Sequence, residues 1–462
     1  PSLALGYAWA MSAPAAIRRW LQRLGCATLL LILIFGALVL GALTPAMYQR
    51  FVAFPRVADD WQALRTARQP TQLDTGYRDF KGVCHTHSLL SHDSEMPFEK
   101  ILEAAHIADL SFVMLTDHCS GGKGDFSKQW SGMHEGVRFV RGFELSSGYL
   151  VWGLPEDSVL PCHLQPELLA RRVEELGGLL FFAHTEQPRP WGLPGVHGME
   201  IYNIHTDLID SYGDLPWLAP QIMLTIGPWP DQAFRLLYDK QTAILARWDA
   251  INRERPFVGI AANDAHQNVG IVLSYTEDGR LRIEELAPGD EPEYLGLNVV
   301  TRGLLRLLFG PLEPGRELWR FNLDPYPQSL RFVNTHLLAG ANTEAALLAA
   351  LRAGRAYVAF NMIADAQGFA VVADNGAGRA TIGESLPWRE GTVLDIASPH
   401  EARLRIFRDG ERVHEAEGYT TRWTVPAPGR YRVEAAVHVG GAWVPWVYAN
   451  PVRLVAPALA GA

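Results

Sequence analysis

Histidine and aspartate stand at the ends of apolar runs in this chain, and that placement constrains its fold more than any other feature. Cys84-His85-Thr86-His87, Thr116-Asp117-His118 and Asn263-Asp264-Ala265-His266 each close a run that reads as a β-strand. Strand side chains alternate faces with a period of two, so His85 shares a side with His87, and Asp264 with His266. Two facing pairs of this kind suggest metal ligands.

The runs alternate with amphipathic segments. Strands are predicted over 111–115, 137–145, 179–183, 199–202 and 257–262, and helices over 165–176 and 231–252, while Phe98, Ile101, Leu102, Ala105 and Ala108 recur at helical spacing. Alternating strands and helices imply a parallel sheet, closed as a barrel or left open. His85, His87, His118, Glu144, His184, Asp264 and His266 all fall at or just beyond the C-terminal ends of predicted strands, where parallel α/β folds carry their sites. A lone histidine is more often a core or surface residue. Residues repeated at equivalent strand ends reverse that expectation.

At 462 residues, 48% of them apolar and 20% charged, the chain is expected to form two folded units. Its net charge of -9 and lack of a basic block argue against a general nucleic-acid or anionic-membrane surface. Cys26, Cys84, Cys119 and Cys162 show no CxxC pair, so neither a disulfide framework nor a cysteine zinc site is indicated. Residues 24–43 carry no charge and span ~30 Å as a helix, which predicts a transmembrane segment. Arg18, Arg19 and Arg23 precede it, which predicts a cytoplasmic N-terminus and a single-pass inner-membrane protein with its catalytic domain in the periplasm. An uncleaved anchor is favoured over a signal peptide because the run exceeds a usual h-region and lacks a small-x-small site.

The expected organisation is a cytoplasmic segment 1–23, the span 24–43, a linker 44–78, a catalytic domain 79–363 interrupted at about 267–335, and a C-terminal β-sandwich 364–456. Short alternating runs and the hairpin signal Asp409-Gly410 mark the last of these.

With these residues in view, the chain resembles the PHP superfamily, named for polymerase and histidinol phosphatase domains. His85-Thr86-His87 followed by Ser91-His92-Asp93-Ser94, then Thr116-Asp117-His118, Glu144 in Gly142-Phe143-Glu144-Leu145-Ser146, His184 in Phe182-Ala183-His184, and Asn263-Asp264-Ala265-His266 look like its motifs in order. The resemblance implies a distorted (β/α)7 barrel, here with the N-terminal transmembrane helix and C-terminal β-sandwich. It implies metal ligation by His85, His87, His92 or Asp93, His118, Glu144, His184, Asp264 and His266, with Glu144, Asp264 and His266 as catalytic residues. Spacing from His87 does not decide between His92 and Asp93. Tyr149 stands where many members place a further histidine, which favours two ions over three and leaves a substrate hydrogen bond or a packed aromatic as its role.

Imidazole and carboxylate donors suit Zn, Mn or Fe, and a carboxylate such as Glu144 can bridge two cations where a neutral histidine cannot. Bridged metals acidify a shared water, so hydrolysis is the expected reaction. Asp117 is expected to orient a ligand, and Cys84 and Cys119 to pack. His106, His134, His197, His205 and His336 default to structural roles. Residues 351–357, 428–434 and 446–451 resemble a β-domain of a membrane-associated, carbaryl hydrolase-like branch. The expected activity is phosphoester hydrolysis, with Lys123, Arg141 and Arg189 as candidate anion partners. The alternatives are a carboxylic ester, amide or carbamate hydrolase on the same metals, or an inactive metal-binding envelope protein. A small-molecule substrate, and the membrane through the N-terminal helix, are the expected partners.

Overall fold

The computed structural model describes residues 15–119, 123–204, 206–207, 215–237, 240–289 and 291–456. They fall into two units: the described parts of Pro1–Arg56 with Gly213–Leu236, and the described parts of Val57–Tyr212 with Leu237–Ala462.

In the smaller unit the apolar run lies inside a longer helix, Ala15–Tyr48, which contains Pro45 and leads into a π-helical turn, Gln49–Ala53. The helix Leu215–Thr225 packs on it. Trp229 Nε1 donates to the Arg50 carbonyl at 2.9 Å, and the Arg50 guanidinium donates to the Leu224 carbonyl. Among the described residues no helix is long and apolar enough to cross a membrane. That finding overturns the predicted transmembrane span, and with it the single-pass inner-membrane placement and the membrane as partner through this helix. The prediction rested on the length of the run and its lack of charge alone.

In the larger unit the strands that matter for the donors are β1 (Arg78–Thr86), β2 (Phe112–Met114), β3 (Asp117–His118), β4 (Val137–Val140), β5 (Gly142–Leu145), β6 (Tyr149–Trp152), β7 (Leu179–Phe182), β8 (Gly198–Asn203) and β9 (Val258–Ala265). β1 pairs in parallel with β2, β2 with β4, and β3 with β5. β6 runs antiparallel between β5 and β7, and β7, β8 and β9 continue in parallel back to β1. The pairings thus run in the order β4–β2–β1–β9–β8–β7–β6–β5–β3.

Both faces of these strands are buried, which is why they read as continuous apolar runs. Cys84, Phe112, Met114, Leu150, Phe181 and Ile260 pack together in one core cluster. The residues next to them in sequence, Val83, Val113 and Leu115, pack against Ile101, Leu102 and Ala105 of the helix Phe98–Ile107. The run predicted as one strand over 137–145 is divided into β4 and β5. A side chain at Gly142 would collide with Trp152 and the Leu115 carbonyl, so only glycine fits this crossing.

The expected fold class is corrected here as well. In place of a barrel followed by a separate β-sandwich, the described residues form a mixed α/β structure with one 20-stranded hydrogen-bonded network, a four-stranded sheet and a two-stranded pair. The N-terminal half of β1 pairs with Asn334–Ala339, that strand with Ala356–Ala359, and that one with Ala442–Ala449. Backbone hydrogen bonding thus runs unbroken from the first strand to the C-terminal strands. The segment after His266 is also ordered. Gly270–Tyr275, Leu281–Glu285, Glu293–Leu295 and Glu317–Asn322 form the four-stranded antiparallel sheet, beside the helix Val299–Phe309.

Candidate metal centre

The donor residues converge where β1, β3, β5, β7 and β9 end. Two groups of side chains bring one ligand atom each to within 4.8 Å of one another: His85, His87, Glu144 and Asp264, and His87, Asp93, His118 and His266. His87 belongs to both.

Getting them there distorts the backbone. His85, His184 and Asp264 adopt left-handed φ of 75°, 47° and 48°, a region costly for residues with a Cβ. The β1–β9 register shifts between Cys84 and Thr86, on either side of His85. Strain of this kind costs about 1–3 kcal/mol per residue and persists where a site requires it.

Glu144 is the hub. Its Oε2 lies 3.1 Å from His85 Nε2 and 3.5 Å from both His87 Nε2 and His118 Nδ1, while its Oε1 lies 2.9 Å from His184 Nε2. Asp264 Oδ1 is 3.0 Å from His85 Nε2 and 3.4 Å from His87 Nε2. At the outer edge, Asp93 Oδ2 lies 3.1 Å from His118 Nε2 and 3.3 Å from His266 Nε2. His92, the alternative to Asp93, is exposed with its ring 4.9 Å from that of His118 and belongs to neither group.

The donor chemistry fits divalent cations. His85 Nδ1 faces Glu200 Oε1 at 2.5 Å, so its Nε2 points at Glu144 and Asp264 together. A neutral imidazole carries one N–H, and a lone pair aimed at two carboxylates is repulsive unless a proton or a metal cation lies between them. His87 Nε2, Asp264 Oδ1, Asp93 Oδ1 and His266 Nε2 are buried without a hydrogen bond, a costly arrangement that a cation would relieve.

Neighbouring charges set the protonation of these groups. Burial opposes charge on His85, but Asp264, Glu144 and Glu200 outweigh it and hold its pKa well above the ordinary value. Burial likewise opposes charge on His184 and His266, yet their carboxylate neighbours raise both to about 9. Burial and the neighbouring His266 push His87 down to about 3, which keeps it neutral, the form that metal ligation requires. Glu144 and Asp264 are held well below the carboxylate range against their own burial, chiefly by His85.

Residues outside the two groups hold them in place. Asp117 is not in either group; its Oδ1 accepts from the Ser88 amide at 2.5 Å and from Ser91 Oγ at 3.3 Å. Ser91 Oγ lies 2.9 Å from His87 Nδ1 and accepts from the His118 amide at 2.9 Å. Glu200 Oε2 accepts from the His184 amide at 2.8 Å and from Asn203 Nδ2 at 3.0 Å. The Tyr326 hydroxyl lies 2.5 Å from the His87 carbonyl oxygen and 2.6 Å from that of Ala265, its single proton shared between them. Sequence reasoning placed Ser91 in the first motif without giving it a role, and missed Glu200 and Tyr326. A glutamate inside the apolar run 199–202 was a usable signal, but Tyr326 lies 60 residues beyond the last donor with nothing local to mark it.

Other candidates lie elsewhere. Tyr149 is buried against Phe182, with Arg189 and Glu167 as its charged neighbours rather than the donor residues. Arg141 pairs with Glu156 at 2.8 Å, and Arg189 donates to the carbonyls of Ala183, Ser147 and His184. The Lys123 side chain and His205 lie outside the described residues. His106, His134, His197 and His336 join neither group. Cys84 is buried beside Met114, and burial pushes its thiol up to about 12. Cys119 and Cys162 form a disulfide, against the sequence expectation. Their separation of 43 residues follows no framework spacing, and only the fold brings the segment after His118 against the one after Val159–Pro161.

This histidine and carboxylate cluster suits divalent metal ions. One solved structure similar to this chain is that of a two-domain protein containing a predicted PHP-like metal-dependent phosphoesterase, from Bacteroides vulgatus. The two are 12% identical, with 83% of this chain and 98% of that chain covered and a TM-score of 0.36. At that score the likeness carries no weight for this chain. No protein-family model and no curated protein matches it.

Proposed function

We propose that this chain is a metal-dependent hydrolase of the PHP type acting on phosphoesters. The observation that carries the proposal is the pair of four-residue donor groups meeting at His87, with Glu144 in contact range of four histidines. His85, His87, Glu144 and Asp264 would hold one cation, with His184 beside them, and Asp93, His118 and His266 with His87 a second. Cations bound there supply Lewis acidity and lower the pKa of water to near neutrality. The protein supplies the rest. Glu200 fixes the orientation of His85, the chain from Asp117 through Ser91 fixes His87, and burial keeps His87 neutral. Nitrogen and oxygen donors without cysteine suit Zn, Mn or Fe.

One observation favours a second reading. Arg141 and Arg189 are committed to protein partners, so neither offers the free cation that clamps a phosphoryl group. A carboxylic ester, amide or carbamate, the substrate class suggested by the C-terminal resemblance, needs no such clamp.

The deciding experiment is metal analysis of the full chain with turnover of aryl phosphates and aryl esters, beside a His85→Ala, His87→Ala double variant. Two equivalents of metal and phosphate turnover, both lost in the variant, are expected. Turnover of esters alone selects the second reading, and absence of metal ends both.

A further inference from the structure

We propose that the four-stranded insertion and the helix Phe98–Ile107 form a specificity cleft for the apolar body of a substrate carrying a single charged head, which excludes polyanions. The inference rests on the hydrolase reading and names the substrate class for the same site.

A cleft of about 490 Å³ opens between these two elements, within the usual size of a small-molecule site. Its floor includes Asp93 and His266, the outer edge of the second donor group, where Asp93 Oδ1 and His266 Nε2 are buried without hydrogen bonds. A substrate engaged at that edge has its remaining atoms in the cleft. One wall carries Met96, Ala104 and Ile107, and the insertion contributes Leu286 and Pro288 opposite. Ile107 is 58% exposed, a large aliphatic side chain left to solvent beside a reactive centre.

The charged residues of the cleft point the same way. Lys100 is paired with Glu103 at 2.7 Å and Arg320 with Glu317 at 2.7 Å, so each cation already has a carboxylate beside it. Glu95 and Asp93 add negative charge. A second phosphate would meet acids and committed cations, whereas a ring or alkyl body would be covered by apolar walls.

The test compares 2-phenylethyl phosphate with ethyl phosphate, whose leaving groups are alike, and with a hexose bisphosphate, on the full metal-loaded chain. A second arm follows binding of 4-methylumbelliferone by fluorescence anisotropy, which reads the cleft without turnover. The phenylethyl ester is expected to show kcat/KM about ten-fold above the ethyl ester, the gain available from filling an apolar pocket, with the bisphosphate poorest. Leu286→Glu and Ile107→Glu should each remove most of that preference and weaken 4-methylumbelliferone binding, while Leu307→Glu, on the exposed helix Val299–Phe309, should leave both as they are. Equal kcat/KM for the two monoesters, preference for the bisphosphate, or binding unaffected by Leu286→Glu would overturn the cleft. If no ester turns over, the hydrolase reading fails, and loss of 4-methylumbelliferone binding in Leu286→Glu alone sustains the cleft.

Discussion

Glu200 Oε1 lies 2.5 Å from His85 Nδ1, and both side chains are fully buried. A carboxylate in that position fixes the tautomer and ring plane of a ligand histidine and raises its basicity. The other oxygen of Glu200 holds the amide of His184, one of the three left-handed donor positions. Glu200→Gln is expected to weaken metal affinity about 10–100-fold, and Glu200→Ala further. Competition with a chromophoric chelator measures this directly, and an unchanged affinity would remove Glu200 from the account.

Tyr326 ties two donor strands by their ends, through the carbonyls of His87 and Ala265. Tyr326→Phe leaves the ring packed but takes the hydroxyl donor from the His87 carbonyl, while the Ala265 carbonyl keeps the His87 amide at 3.2 Å, at a cost of about 1–3 kcal/mol. Urea unfolding should show that loss with the m-value unchanged. A midpoint equal to that of the parent chain would show that the His87 carbonyl finds another partner.

Chelation should destabilise the protein reversibly. Asp93, Glu144 and Asp264 meet five histidines in a small volume, and a cation bound only by the folded state adds about 2.7 kcal/mol when present at 100 times its Kd. Treatment with a chelator should lower Tm, and stoichiometric metal should restore it. A Tm indifferent to both treatments contradicts metal binding at the cluster.

Acid sensitivity is expected away from the metal centre. Arg432 makes two contacts to Asp249, at 2.6 and 2.7 Å, and one to Glu434 at 2.7 Å, joining the helix Thr242–Glu254 to the strand Gly429–Val439. Burial favours the neutral acid at Glu434, but Arg432 and Lys240 overcome it and lower its pKa. A depressed folded pKa contributes stability that is present above the unfolded value of about 4.3 and is lost as pH falls through the folded value. Arg432→Ala removes the ion pair of buried Asp249 and leaves Glu434 with Lys240 alone, and should cost about 3–5 kcal/mol at neutral pH. Denaturation midpoints between pH 3 and 7 should fall more steeply for the parent chain than for Glu434→Gln, and parallel curves would refute the assignment.

The Cys119–Cys162 bond closes a loop with a sequence separation of 43 residues that starts beside His118. By the loop-entropy relation such a link is worth about 4 kcal/mol. A Cys119→Ser, Cys162→Ser variant should unfold at lower denaturant than the oxidised parent and match the parent under reducing conditions. Equal midpoints for oxidised parent and variant would show the bond to be without effect on stability.

The order and chemical type of the donors could be read directly from the chain. His85, His87, His118, Glu144, His184, Asp264 and His266 stand at strand ends because local apolar runs announce strands, and a run is a property of neighbouring residues. The Asp409-Gly410 turn, with φ of 51° and 93°, was legible for the same reason. Helix Glu344–Ala353 likewise ends at Gly354 with φ of 75°.

What needed the tertiary structure involves residues far apart in sequence. Period-two alternation alone does not describe His85, because the register shift and left-handed φ there come from the pairing of β1 with β9, some 180 residues on. Asp93 rather than His92 joins the cluster because the fold places His118 and His266 on its side. Glu200, Tyr326 and the Cys119–Cys162 bond act through contacts across 115, 239 and 43 positions. Short-range pattern determined which groups were available; long-range burial and pairing decided which of them meet, and in what state of charge.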